Sequence, residues 1–134
     1  MISASAASRP YPSMRVLILD DDDDWRDTLG EYLELLGCEC AAFADAEDAL
    51  RCAAAQPPGL ALIDLGLKET NGYDVARRLR TVPACNATKL VALTGFGDSA
   101  TRASASAAGF DEFLVKPLVT DKLEALLRTL RPSG

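Results

Sequence analysis

Alternation is what most constrains the fold of this chain. Short runs of almost wholly apolar residues take turns, from Val16 onward, with segments whose apolar residues recur every three or four positions. The runs are VLIL (Val16–Leu19), CECAAF (Cys38–Phe43), LALI (Leu60–Ile63), KLVAL (Lys89–Leu93) and EFLV (Glu112–Val115), each of strand length. Between them the 3.6-residue period predicts helices. The first carries Trp25, Leu29, Tyr32, Leu33 and Leu36 on one face and stops at Gly37, where a C-terminal glycine belongs. The second starts at Asp45, whose side chain can cap it with Asp48 three positions on, and is broken by QPPG. A third runs from about Gly72 to Arg80, and an Ala/Ser-rich fourth, Ala100 to Ala108, closes at Gly109. The last sets Val119, Leu123, Leu126, Leu127 and Leu130 on one face. Strands that are apolar throughout, rather than alternating, imply a parallel sheet covered by helices on both faces, an α/β doubly wound fold.

The 134 residues suit one domain, and 49% hydrophobic residues suffice for one core. Residues 1–13, rich in Ser, Ala and Pro, are expected to be a flexible leader, 14–131 the folded domain and 132–134 a tail. A net charge of −6 argues against non-specific contact with nucleic acid or an anionic membrane, which need a basic surface, and favours cations and basic partners. Cys38, Cys40, Cys52 and Cys85 form no CxxC pair, and with no histidine in the chain they match no usual zinc spacing. They are expected to be reduced packing thiols in a cytoplasmic protein. No run of 18 apolar residues predicts a membrane span, and the N-terminus has no signal-peptide core. The absence of histidine also excludes a His-based triad, an HExxH helix and a phosphohistidine of the chain's own.

In a doubly wound sheet ligands bind beyond the carboxyl ends of the strands. Here those ends carry Asp20 and Asp21, then Asp64, Thr94 and Lys116. Three carboxylates and one lysine balance only if a divalent cation joins them, and Mg²⁺ favours a few carboxylates, waters and phosphate oxygens. A metal beside a carboxylate can neutralise an incoming phosphoryl group, so that one carboxylate acts as nucleophile and becomes an aspartyl phosphate. Asp64, alone at the end of a middle strand, is the candidate nucleophile, with Asp20 and Asp21 as metal ligands. Lys116 and the Thr94 hydroxyl would hold the remaining phosphoryl oxygens.

The aspartate run Asp20–Asp24 permits other readings. Asp20, Asp22, Asp24 and Glu31 fall at positions 1, 3, 5 and 12 of an EF-hand loop, but Trp25 stands where that loop needs glycine, and a strand precedes it. A dehalogenase-type phosphatase would begin with a similar strand and Asp-x-Asp, yet Asp24 stands where that chemistry expects Thr or Val, and no second acid to activate water is found. Asp22, Asp23 and Asp24 are expected to serve the N-terminus of the first helix, whose dipole favours anions.

Together LILDDDDDWRDTL, LALIDLGLKETNGYDVARRLR, LVALTGFG and FLVKPL resemble the receiver domain of bacterial response regulators over roughly Arg15 to Leu130. The resemblance implies a flavodoxin-like five-stranded parallel sheet of order 2-1-3-4-5 with helices on both faces. It implies an active site of Asp64, Thr94 and Lys116, followed by Pro117, and a metal site of Asp20, Asp21, Asp64 and the backbone carbonyl of Gly66, holding Mg²⁺ or Mn²⁺. It makes Gly72 a residue of the loop before the third helix. Thr94 and Phe113 become the switch pair that reports phosphorylation to the surface of helix four, strand five and helix five. The small-residue helix Ala100–Ala108 is expected to shift in that switch.

The implied function is a phosphoacceptor of a two-component system or phosphorelay, fed by a partner histidine kinase or histidine phosphotransfer protein and read by a downstream protein. It would be a stand-alone regulator or the receiver of a hybrid histidine kinase, and not a conventional enzyme beyond its own phosphorylation and dephosphorylation. The alternative is a receiver-like docking or dimerisation module independent of phosphorylation, whose signature would be a lost site residue; none is lost. Two positions depart from the family pattern. Lys68 stands where proline is frequent, which predicts a looser loop with extra positive charge. Gly66 and Phe96, each two positions past a site residue, offer no acid or amide to orient water, which predicts slow self-dephosphorylation.

Overall fold

The computed structural model describes residues 14–95, 97–117 and 120–130; the leader, Phe96, Val119 and the tail lie outside the described residues. Five strands, β1 (Arg15–Leu19), β2 (Glu39–Phe43), β3 (Leu60–Asp64), β4 (Lys89–Thr94) and β5 (Glu112–Val115), alternate with five helices. The helices are α1 (Asp23–Leu35), α2 (Ala46–Ala55), α3 (Gly72–Arg80), α4 (Ser99–Ala108) and α5 (Thr120–Leu130). A 3₁₀ turn at Pro83–Cys85 precedes β4. All strand pairs are parallel and the order is β2-β1-β3-β4-β5, the flavodoxin-like arrangement expected.

The uniformly apolar strands follow from two cores. Val16, Ile18, Leu60, Leu62, Val91 and Leu93 face α1 and α5, where Leu29, Leu33, Leu123, Leu126 and Leu127 close over them. Their neighbours Leu17, Leu19, Ala61, Ile63, Leu90 and Ala92 face the opposite way, under α2, α3 and α4. Every second residue of a strand points to the same face, so a strand covered on both sides needs apolar residues at every position. Each Val, Leu or Ile buried in this way contributes on the order of 1.5–3 kcal/mol of transfer free energy. Trp25, Tyr32 and Leu36, placed by periodicity on the α1 face, are partly buried against the first core. Tyr32 also donates its hydroxyl proton to Glu124 at 2.6 Å, which ties α1 to α5.

The cap expected at Asp45 is formed, and two more helices start in the same way. Asp45 accepts the Asp48 amide, Asn71 that of Asp74 and Asp98 that of Thr101. β2 begins one residue later than the apolar run. The Cys38 amide bonds back to the Leu33 carbonyl while the Gly37 amide bonds to Glu34, so Cys38 belongs to the helix terminus and not to the ladder. The four thiols are free, and burial pushes Cys38 up to about 11 and Cys40 up to about 12, which suits packing rather than reactivity. No helix among the described residues is long and apolar enough to cross a membrane.

The end of α4 leaves a direct test. Gly109 has φ +111°, and a Cβ there would lie 2.9 Å from Arg80 Cγ. Arg80 is committed, donating to the carbonyls of Gly109 and Thr88 and to the Asp111 carboxylate. Gly109→Ala is therefore expected to lower stability by about 1–3 kcal/mol, read as a lower urea midpoint at unchanged slope.

Candidate functional site

Parallel strands in register bring their carboxyl ends to one edge, and the pairings Leu19 with Ile63, Asp64 with Leu93 and Thr94 with Val115 align those ends here. Asp20 follows β1, Asp64 ends β3, Thr94 ends β4 and Lys116 follows β5. Carboxylate oxygens of Asp20, Asp21 and Asp64 lie within 4.8 Å of one another. Lys116 Nζ is 2.7 Å from Asp20 Oδ2 and 3.7 Å from Asp64 Oδ1. Thr94 is buried, and its carbonyl accepts the Lys116 amide at 2.7 Å. Five residues spread over nearly a hundred positions thus meet at one place.

Their environments differ. Asp20 is fully buried; besides Lys116 it accepts the Asp22 amide at 3.0 Å, and Arg26 donates to its backbone carbonyl at 2.8 Å. Asp21 is half-buried and accepts the Lys68 amide at 2.8 Å. Asp64 is 9% exposed and accepts the Gly66 amide at 3.1 Å. Burial pushes the Asp64 carboxyl above the usual carboxylate range, and the charges of Asp20 and Asp21 push the same way, against the Gly66 amide and Lys116. Three carboxylates facing one ammonium form a site with room for positive charge, and an all-oxygen donor set suits Mg²⁺.

The remaining residues of the aspartate run have other tasks. Asp22 caps α1 by accepting the Trp25 amide at 3.1 Å, Asp23 pairs with Arg26 at 2.6 Å, and Asp24 is exposed. The strand before the run rules out the EF-hand arrangement, which places a helix there. Gly72 is the first residue of α3, not part of the loop before it. A Cβ at Gly72 would lie 2.6 Å from the Asp64 carbonyl oxygen and 3.0 Å from Leu65 Cα, so α3 approaches the end of β3 at a distance only glycine permits. Phe113 is half-buried, and the Arg102 guanidinium of α4 lies 4.9 Å above its ring.

The loop after β3 makes a backbone contact with the site. Lys68 carries a backbone N–H, which proline would lack, and that N–H holds the loop to Asp21. Sequence reasoning also passed over Trp25, whose ring lies 5.5 Å from Lys116 Nζ. Its place five positions past Asp20 was the available signal, but one face of a helix cannot reveal what a loop beyond β5 brings to it.

Comparison with known proteins agrees with the geometry. Residues 16–128 match the family described as response regulator receiver domain. The transcriptional regulatory protein PrrA of Mycobacterium tuberculosis is 35% identical over 122 residues, 88% of this chain and 50% of PrrA. An uncharacterized 14.6 kDa protein of Leptolyngbya boryana is 32% identical over 113 residues, covering 84% of this chain and 85% of that protein. A receiver domain structure from Methylobacillus flagellatus superposes with a TM-score of 0.77 at 29% identity, covering 89% of this chain and 99% of the other. The chain thus spans about half the length of PrrA and most of the other two.

The strain at Asp64 is measurable without any ligand. A carboxyl held above its unfolded value binds protons more tightly in the folded state, so its contribution is fully present below the ordinary carboxylate range and is lost as pH rises through the raised value. In the absence of divalent cations, Asp64→Asn is expected to be more stable than wild type near neutral pH, with the advantage shrinking as pH falls toward 3. Thermal denaturation of both proteins across that range checks it, and equal pH profiles would contradict it.

Proposed function

This chain belongs to the response regulator receiver domain family of two-component signalling, and from that membership we propose that Asp64 is its phosphoacceptor, fed by the phosphohistidine of a histidine kinase or phosphotransfer protein. The observation that carries the proposal is the meeting of Asp20, Asp21, Asp64 and Lys116 at one strand edge. An Asp64 carboxylate oxygen attacks phosphorus, the P–N bond to the donor imidazole breaks, and the bonding pair leaves on the imidazole nitrogen. The Lys116 ammonium and the Thr94 hydroxyl take hold of phosphoryl oxygens as the group passes to Asp64. Asp20, Asp21 and Asp64, with the Gly66 carbonyl, would hold Mg²⁺, or Mn²⁺ in its place. Such a cation supplies the positive charge that lets an anionic phosphoryl group approach a carboxylate.

The signal leaves through the surface of α4, β5 and α5. Phosphorylation replaces a carboxylate with a bulkier, more negative group. Thr94 and Phe113 respond to that group, and the small-residue helix α4, with only Ala105 and Ala108 buried, is weakly held and shifts. The readout is a downstream protein partner in the cytoplasm, with no nucleic acid or membrane contact by this domain. Slow self-dephosphorylation belongs to the same proposal, since glycine at position 66 leaves no side chain to orient water near Asp64.

Intact mass after incubation with acetyl phosphate or a phosphoramidate tests the chemistry. A gain of one phosphoryl group is expected with Mg²⁺ and not after chelation, and Asp64→Asn is expected to abolish it. A folded wild type that binds Mg²⁺ and gains nothing would replace this proposal with a phosphorylation-independent docking module. The phosphorylated protein, freed of donor, is expected to keep its modification for minutes or longer at room temperature, whereas decay within seconds would contradict the role given to positions 66 and 96.

A further inference from the structure

We infer that Trp25 is a positioning residue for Lys116, its indole face holding the ammonium beside Asp64; the inference rests on the reading of Asp64 as phosphoacceptor. The ring centroid is 5.5 Å from Lys116 Nζ, within the range at which an aromatic face attracts a cation. Asp20 takes one side of the same ammonium at 2.7 Å, and Asp64 lies at 3.7 Å on another. The lysine side chain is 25% exposed, so solvent competes for the charge and the four-carbon stem has other rotamers to visit.

The chemical type of the third neighbour matters. A further carboxylate would neutralise the ammonium and repel an incoming phosphoryl group. An aromatic face attracts the cation through its quadrupole and adds no net charge. Lys116 is thereby held in place while its charge stays available to the phosphoryl oxygens.

Local structure delivers the ring to this place. Asp22 accepts the Trp25 amide and so starts the helix there, while Arg26, the next residue, donates to the Asp20 carbonyl. The first turn of α1 is thus tied to the end of β1. The indole Nε1–H is buried and has no acceptor among the described residues. An unpaired buried donor costs free energy that phenylalanine would avoid, and such local misfits are expected beside functional groups. Indole is also the strongest of the natural aromatic faces toward a cation.

Phosphorylation rates of the whole chain with acetyl phosphate and Mg²⁺, measured across donor concentrations, test the inference in a double-mutant cycle. Trp25→Leu is expected to lower the maximal rate about threefold to tenfold, with the half-saturating donor concentration unchanged, and Trp25→Phe to recover most of the loss. In a Lys116→Ala background, Trp25→Leu is expected to have no further effect on the residual rate. A loss of equal size in that background, or no loss in the single variant, would overturn the inference.

The Lys116 Cε methylene proton shifts, read by NMR on wild type, give a check that needs no phosphoryl chemistry. Ring current from the indole is expected to displace them, and Trp25→Leu or Trp25→Phe to change the displacement. Ordinary lysine shifts in folded wild type would overturn the inference even if phosphorylation is normal. Displaced shifts in a wild type that gains no phosphoryl group would instead overturn the phosphoacceptor reading on which the inference rests.

Discussion

Burying a carboxylate completely is costly unless its oxygens are paired, and Asp20, with no solvent exposure, is the residue where this chain meets that constraint. One oxygen accepts the Asp22 amide and the other accepts Lys116 from 96 positions away. Such a pair adds little net stability compared with apolar packing, but removing Lys116 leaves the Asp20 charge in the interior without its cation. The contact therefore acts as a registration device. It requires the loop after β5 to sit above the loop after β1, across the intervening strands β3 and β4, and so fixes the place to which Asp64 and Thr94 must come.

Around that pair the site holds more negative charge than it neutralises, and the two apolar layers make this tolerable. The strand ends cannot move apart without disturbing Ile18, Leu62 and Leu93 on one face or Leu19 and Ile63 on the other, all without solvent exposure. Packing thus holds Asp20, Asp21 and Asp64 together against their repulsion. That is the physical basis for reading the cluster as a cation and phosphoryl site rather than as a solvated acidic face. The run of aspartates divides accordingly: two face the site, one caps α1, one pairs with Arg26 and one meets solvent.

Much of this was legible in the residues. Leu29 and Leu33 have the helical spacing that puts them in the core, Asp45 has the position of a cap, and Gly109 that of a left-handed helix terminus. Asp64 could be singled out because a charge at the end of an apolar run has few structural reasons to be there. Cys38 was misplaced because an apolar run does not reveal which hydrogen bonds its first amide makes. The bond from the Lys68 backbone N–H to Asp21 was not legible, because side-chain identity does not show which backbone groups a loop brings to the site. Periodicity starts α3 at Gly72, as found, while the resemblance put Gly72 in the loop before it, and no local pattern shows that a Cβ there would meet the Asp64 carbonyl.

By itself the sequence determined the class of fold, the strands and helices, and the residue types at the strand ends, since these follow from periodicity and capping within a few residues of chain. Only the tertiary structure decided which of five consecutive aspartates is fully buried, that Lys116 lies nearer Asp20 than Asp64, and that Trp25 lies beside Lys116. Those outcomes depend on distances between segments far apart in the chain. Such distances are set by how two apolar layers pack against one sheet, and no local pattern of residues encodes them.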